Sequence, residues 1–242
     1  MIKVEDVYNY LDSISPFNTQ ESWDNSGLLV GNITNQVEDI FISLEATKEI
    51  ILECRDNSLL ITHHPLIFKP LKIINTMKHP SSVIDALIKK NITLISTHTN
   101  FDLSHLNKSF VENILEFKED SRNNFISIIK YDGDINALCK HIKLKIPNSK
   151  IKLSKAKEYV NNIGIICGAG ISLFDDVKNI DCIITGDIKY HDAITLLQQG
   201  ISTIDVGHYE SESHFPHLLG SYLKNVGYNA TILESRNPFI FK

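Results

Sequence analysis

The sequence predicts an α/β protein of two similar lobes, with mostly parallel sheets and a metal site in the cleft between them. Three observations predict it. Short apolar runs alternate with segments of helical periodicity along the chain. Polar, histidine-bearing loops follow the apolar runs, where open α/β sheets bind ligands. The same order of strand, loop, helix, strand and loop occurs once in each half, as a duplication would leave it.

Residues 4–14 place apolar side chains at helical spacing, and residues 18–26 read as a loop before Leu28, Leu29, Val30 and Gly31. A strand at 40–44, a helix at 48–55 and a buried strand at 59–62 complete a βαβ pattern. A helix over 82–90, a strand over 92–97, a helix after Leu106 and a strand over 125–130 continue it. The polar, aperiodic segment 118–124 is read as the link, dividing the chain into 1–120 and 121–242. Beyond it come a helix at 135–142 and strands at 150–153 and 163–167, the last running into Gly168, Ala169 and Gly170. A strand at 182–185, a helix at 193–198 and a strand at 201–206 close the second half.

Composition narrows the function. With 242 residues, 43% hydrophobic and 22% charged, the chain can bury a substantial core. A net charge of −5 and no lysine–arginine run argue against a nucleic-acid partner. The acidic opening and the lack of a membrane-length apolar run predict a cytoplasmic protein. Cys54, Cys139, Cys167 and Cys182 stand singly among apolar residues and are read as reduced core thiols rather than two disulfides.

The histidines carry the chemistry. In Thr62-His63-His64-Pro65 the proline biases His64 away from helical geometry, so the adjacent imidazoles diverge and suit two ions, one each. If the strand before His98 persists, His98, Asn100 and Asp102 share a face, and Asp102 offers an oxygen ligand; otherwise Asp102 caps the next helix. A helix starting after Gly207 puts His208 and Glu212 on one side at i and i+4 and turns Glu210 elsewhere. His63, His64, Asp102, His208 and Glu212 are thus the metal-ligand set, with Glu212 able to bridge. Nitrogen and oxygen ligands without thiolate suit two divalent ions of zinc, iron, manganese or nickel. The Gly168–Gly170 loop precedes an expected helix and could cradle a phosphate, although a tight, closely packed turn is the better reading.

The blocks WDNSGLLVG (23–31), ITHHPLIF (61–68), STHTNFD (96–102), TGDIKYHDA (185–193) and DVGHYESE (205–212) resemble the signature blocks of dinuclear-metal proteins. These are the proteins called GTP cyclohydrolase 1 type 2, or the NGG-interacting-factor-three-like family. The resemblance runs in order along nearly the whole chain. It implies the same five ligands, with Glu212 bridging, a duplicated α/β fold and a ring-shaped homohexamer. Ser26 replaces an expected valine and Glu45 a more usual aspartate, and neither is expected to touch the ligands. The chain is also too short for the extra central domain of longer relatives.

The function expected is hydrolysis at two metals: GTP and water giving 7,8-dihydroneopterin triphosphate and formate. His98 and His191 are the candidate proton shuttles for opening the guanine imidazole ring. The alternatives are a two-metal nucleotide phosphoesterase and a metal-stabilised scaffold with little catalysis.

Overall fold

A computed structural model describes residues 1–174 and 177–240. The chain forms two compact units: Met1–Ser104 with the C-terminal stretch from His214, and His105–Ser213. The first unit runs through β1 (Ile2–Lys3), α1 (Val4–Ile14), β2 (Gly27–Val30), β3 (Gln36–Val37) and β4 (Ile40–Ser43). It continues through α2 (Lys48–Glu53), β5 (Leu59–Thr62), α3 (Ser81–Lys89), β6 (Thr93–Ser96) and α4 (Thr99–Phe101). The second unit holds α5 (Asn107–Ser109), β7 (Ser121–Asn123), β8 (Ile126–Asp134), α6 (Ile135–Lys145), β9 (Lys152–Ser154) and β10 (Tyr159–Ile165). It then holds β11 (Cys182–Thr185), α7 (Tyr190–Gln198), β12 (Ser202–Asp205) and α8 (His208–Glu212). The chain returns to the first unit with α9 (Phe215–Asn225) and β13 (Ala230–Ile232).

The first unit's main sheet has the order β13-β4-β5-β6-β2. Three of its four pairings are parallel, and β2 closes the edge antiparallel to β6. Strands β4, β5 and β6 are buried at every residue, as expected when both sheet faces are covered. Successive side chains point to opposite faces. Phe41, Leu60 and Leu94 therefore join Ile50 and Ile51 of α2 and Leu87 of α3 in one core, whereas Ile42 faces Gly220 of α9.

The second unit's sheet runs β7-β8-β10-β11-β12-β9. Here the expectation of mostly parallel pairing is corrected, because three of the five pairings are antiparallel and only β10-β11-β12 are parallel neighbours. The two units change over after Ser104 and again after Ser213 rather than near the expected 120. Segment 118–124 looks like a linker by composition, but 121–123 form an exposed edge strand paired with β8 through a turn at Asn124, whose φ is 52°. The preceding helical turns belong to the same unit and are pinned by buried Asn107. Its Nδ2 donates to Phe125 O (2.8 Å), Ser127 Oγ (2.9 Å) and Ile165 O (3.2 Å), and its Oδ1 accepts from Cys167 N (3.0 Å). Asn107→Ala leaves several buried polar groups without that side chain. A loss of about 2–4 kcal/mol is expected, read as a lower urea midpoint at unchanged m-value.

All four cysteines are free, with Cys54, Cys167 and Cys182 buried, and burial pushes the Cys54 thiol up to about 12. Among the described residues, no helix is long and apolar enough to cross a membrane.

Candidate metal centre

In the first unit, the ends of three adjacent parallel strands stand level, since Ser43 pairs with Thr62 and Thr62 with Ser96. The residues just beyond, Glu45, His63 with His64, and His98, therefore emerge on one edge of the sheet. Ring nitrogens of His63, His64 and His98 lie within 4.8 Å of one another, a spacing that could hold a metal ion. His63 is fully buried, with its ring 4.9 Å from that of Phe215.

Each of these rings has an acceptor at Nδ1. His63 donates to Thr97 O at 2.9 Å, His64 to Glu45 Oε1 at 2.6 Å and His98 to Asp24 Oδ1 at 2.8 Å. A carbonyl or carboxylate oxygen can only accept, so these bonds put the proton on Nδ1 and make Nε2 the lone-pair nitrogen. That is the arrangement that ligating histidines use, the second hydrogen bond fixing both tautomer and ring orientation. His63 Nε2 lies 3.5 Å from Asp102 Oδ1.

The strand does not persist through His98, which corrects the shared face expected for His98, Asn100 and Asp102. β6 ends at Ser96, α4 starts at Thr99, and Asp102 N donates to His98 O at 2.9 Å. Helical i, i+4 spacing relates His98 to Asp102 instead. Asp102 opens a wider π-turn over Asp102–Leu106, a local irregularity frequent at functional sites. Asn100 is buried away from solvent and holds Ser15 O at 2.7 Å, a structural role.

In the second unit, Thr185 pairs with Asp205, so the loops after β11 and β12 leave the sheet side by side. The buried Asp205 carboxylate accepts from Ile188 N (3.1 Å) and Gly207 N (3.0 Å) and pairs with Lys152 (2.6 Å), tying both loops together. Helix α8 starts after Gly207, as expected, and places His208 Nε2 3.0 Å from Glu212 Oε2. His208 Nδ1 donates to Asp187 Oδ2 at 2.8 Å, and Asp187 sits in the left-handed region at φ 53°. Glu212 is buried and Glu210 half-buried.

Glycines make room for this cluster. A Cβ on Gly186 would lie 2.6 Å from His208 N and 2.7 Å from its Cα. Gly186→Ala must therefore push the His208 backbone aside, with an expected loss of about 1–3 kcal/mol, read by thermal and urea unfolding. Gly168 has φ 66°, and a Cβ there would run into the Glu212 carboxylate. Its amide donates to Ser211 Oγ (2.9 Å), and the Gly170 amide donates to Thr185 Oγ1 (3.0 Å). Those amides are spent inside the fold, and among the described residues a single tight turn, Ile171–Phe174, follows where a helix is expected. The Gly168–Gly170 loop is thus a close-packed turn.

His191 lies exposed in the first turn of α7, its ring edge-on to Tyr190 at 5.3 Å. Glu45, expected not to touch the ligands, bonds His64. Ser26 Oγ accepts from the amide of His98, which is outside the expected ligand set, at 3.0 Å. Asp24, unremarked in the sequence, has its side chain shielded from solvent; burial would raise its pKa, yet the hydrogen bonds and charge of His98 and the bonds from Thr99 hold it well below the usual carboxylate range. Only its place within the WDNSGLLVG block (23–31) could have drawn the eye to it.

A mixed α/β protein with histidines and carboxylates set at the ends of parallel strands is the class that fold and site define. The chain belongs to the Duf34/NIF3 (NGG1p interacting factor 3) family, which matches over residues 2–238. It is 44% identical over 239 residues to a protein of Campylobacter jejuni named GTP cyclohydrolase 1 type 2 homolog, covering 98% of this chain and 99% of that one. It is 41% identical over 240 residues to a Helicobacter pylori protein named GTP cyclohydrolase 1 type 2, covering 98% of each. Among solved structures, a Staphylococcus aureus hypothetical protein superposes with a TM-score of 0.84 at 24% identity, covering 100% of this chain and 99% of that one. Reduced HcgD from Methanocaldococcus jannaschii gives 0.81 at 21% identity, with 96% and 97% covered. These two likenesses concern the fold.

Proposed function

We propose that the chain is a dinuclear-metal hydrolase acting on GTP, with His63, His64, Asp102, His208 and Glu212 as ligands and Glu212 as the bridge. The observation that carries this reading is the facing of like groups. In each unit a histidine whose proton is held at Nδ1 turns its Nε2 toward a carboxylate, 3.5 Å away at His63–Asp102 and 3.0 Å at His208–Glu212. A lone pair opposite an anionic oxygen is repulsive unless a cation or an additional proton lies between them. A divalent metal fits both places, and the donor set of imidazole and carboxylate suits zinc, iron, manganese or nickel. The names of the Campylobacter and Helicobacter relatives support the choice of GTP.

When bound, two metals acidify a water and stabilise negative charge as it develops. The protein's own groups supply the rest. Thr97 O, Glu45 and Asp187 hold the ligand rings in register. His98, its proton held at Nδ1 by Asp24, presents Nε2 to accept a proton from the attacking water and return it to a guanine ring nitrogen as the imidazole ring opens. His191, exposed in the first turn of α7, is the second shuttle proposed. Net, GTP and water yield 7,8-dihydroneopterin triphosphate and formate. A homohexamer and a duplicated origin for the two units accompany this reading. The shared placement of histidines after adjacent parallel strands supports the duplication.

The test is to load purified protein with each metal in turn, supply GTP, and measure formate, pteridine fluorescence and free phosphate. Formate with a pteridine product supports the cyclohydrolase. Phosphate alone moves the assignment to a phosphoesterase, and no turnover with any metal to a scaffold.

A further inference from the structure

Trp23 and Phe68 are large aromatic residues with 53% and 42% of their surface exposed. Their ring centroids are 5.8 Å apart, and each meets His98 nearly edge-on, Trp23 at 6.2 Å and Phe68 at 6.3 Å. His98 is in turn 5.1 Å from the His63 ring and 5.6 Å from that of His64. Two wet aromatic faces thus stand directly beside the histidine cluster.

About half of each side chain is covered, and the backbone beneath them supplies the rest of their support. Asp24 binds His98 and accepts from Thr99 N at 3.0 Å; Asn25 Nδ2 donates to Ile67 O; Ser26 N donates to Gln20 Oε1 at 2.6 Å. The residues next to each ring, Asp24 and Ile67, are therefore tied into the frame that orients the cluster. Exposed aromatic side chains fixed in advance lose little entropy when they stack on a flat ligand, and a base stacked on such a ring is worth roughly ten- to hundredfold in affinity.

We propose that Trp23 and Phe68, whose ring planes are inclined at 59°, form the stacking platform for the substrate's planar heteroaromatic ring, one stacking on its face while the other borders its edge, so that its reacting edge is set against His98 and the metal ligands. The inference rests on the reading of that cluster as the catalytic centre. It makes ring planarity, rather than the phosphate chain, the feature this part of the site selects.

Trp23 is the chain's single tryptophan, so its fluorescence reports on the platform alone. With the full-length, metal-loaded protein, guanosine is expected to quench it saturably, while inorganic triphosphate leaves it unchanged. Phe68→Ala should weaken guanosine binding and raise KM for GTP roughly ten- to hundredfold, and lower kcat as well because the reacting edge is no longer held in place; Phe68→Tyr should restore binding and turnover. Trp23→Ala should raise KM likewise and Trp23→Phe should not. Quenching by triphosphate but not by guanosine, or a Phe68→Ala variant that binds guanosine like the parent, overturns the proposal. Saturable quenching without formate from GTP keeps the platform and removes the cyclohydrolase. Formate release with KM unchanged in both alanine variants removes the platform and keeps the cyclohydrolase.

Discussion

Glu212→Ala is expected to lower kcat/KM for the metal-dependent reaction on the order of 10³-fold, equivalent to about 4 kcal/mol of transition-state stabilisation. The buried carboxylate faces His208 at 3.0 Å and fills the space that the absent Cβ of Gly168 leaves open. Its removal takes away a proposed ligand and the proposed bridge together. Because alanine also leaves a cavity, Glu212→Gln is the sharper variant, keeping the volume and removing the charge. Elemental analysis should find less metal in both variants. In unfolding experiments, added metal should raise the Tm of the parent by preferential binding to the folded state, but that of Glu212→Gln much less. The glutamine variant without metal should be at least as stable as the parent, since an amide can donate to a lone pair that a carboxylate only repels. Full metal content and a rate within threefold of the parent in both variants would remove Glu212 from the centre.

Asp24→Asn carries the second large effect, a fall in kcat of roughly 10²- to 10⁴-fold, the range general acid–base catalysis contributes. Asparagine can turn its amide toward His98 and reverse the tautomer that Asp24 imposes, moving the proton to Nε2, as loss of the buried aspartate does in a serine-protease triad. The structural role of Asp24 also predicts an acid dependence. Its folded pKa is lowered, with His98 and Thr99 outweighing burial, so its contribution to stability is present above the ordinary carboxylate range and is lost as pH falls through the lowered folded value. The variant should lack that contribution at neutral pH and show a displaced limb in its pH–rate profile, whereas a merely loosened loop would lower the rate without moving the profile. An unchanged profile with kcat within threefold would leave His98 outside the chemistry.

Local order was legible where one period dominated. The buried strands at 59–62 and 182–185, each three apolar residues ending in a threonine, could be read directly, and so could the i, i+4 relation of His208 to Glu212, because Gly207 marks where α8 must begin. The edge strand Ser121–Asn123 was not legible, since an exposed strand and a linker have the same polar composition. The turn after His98 was misread for a related reason: a short segment with two possible periods is settled by its neighbours, here by Asp24 bonding Thr99 N.

Residue types and their spacing determined by themselves the α/β class and the family and singled out the nitrogen and oxygen donors proposed for the metals, since each depends on local periodicity or on the chemistry of single side chains. The tertiary structure alone decided which nitrogen each histidine presents, because Glu45, Asp24, Thr97 and Asp187 lie 19, 74, 34 and 21 positions away from the rings they hold. It also decided where the units divide, because α9 and β13 come last in the chain and pack beside β4. Hydrogen bonds and sheet pairing act through space, and no periodicity along the chain records them.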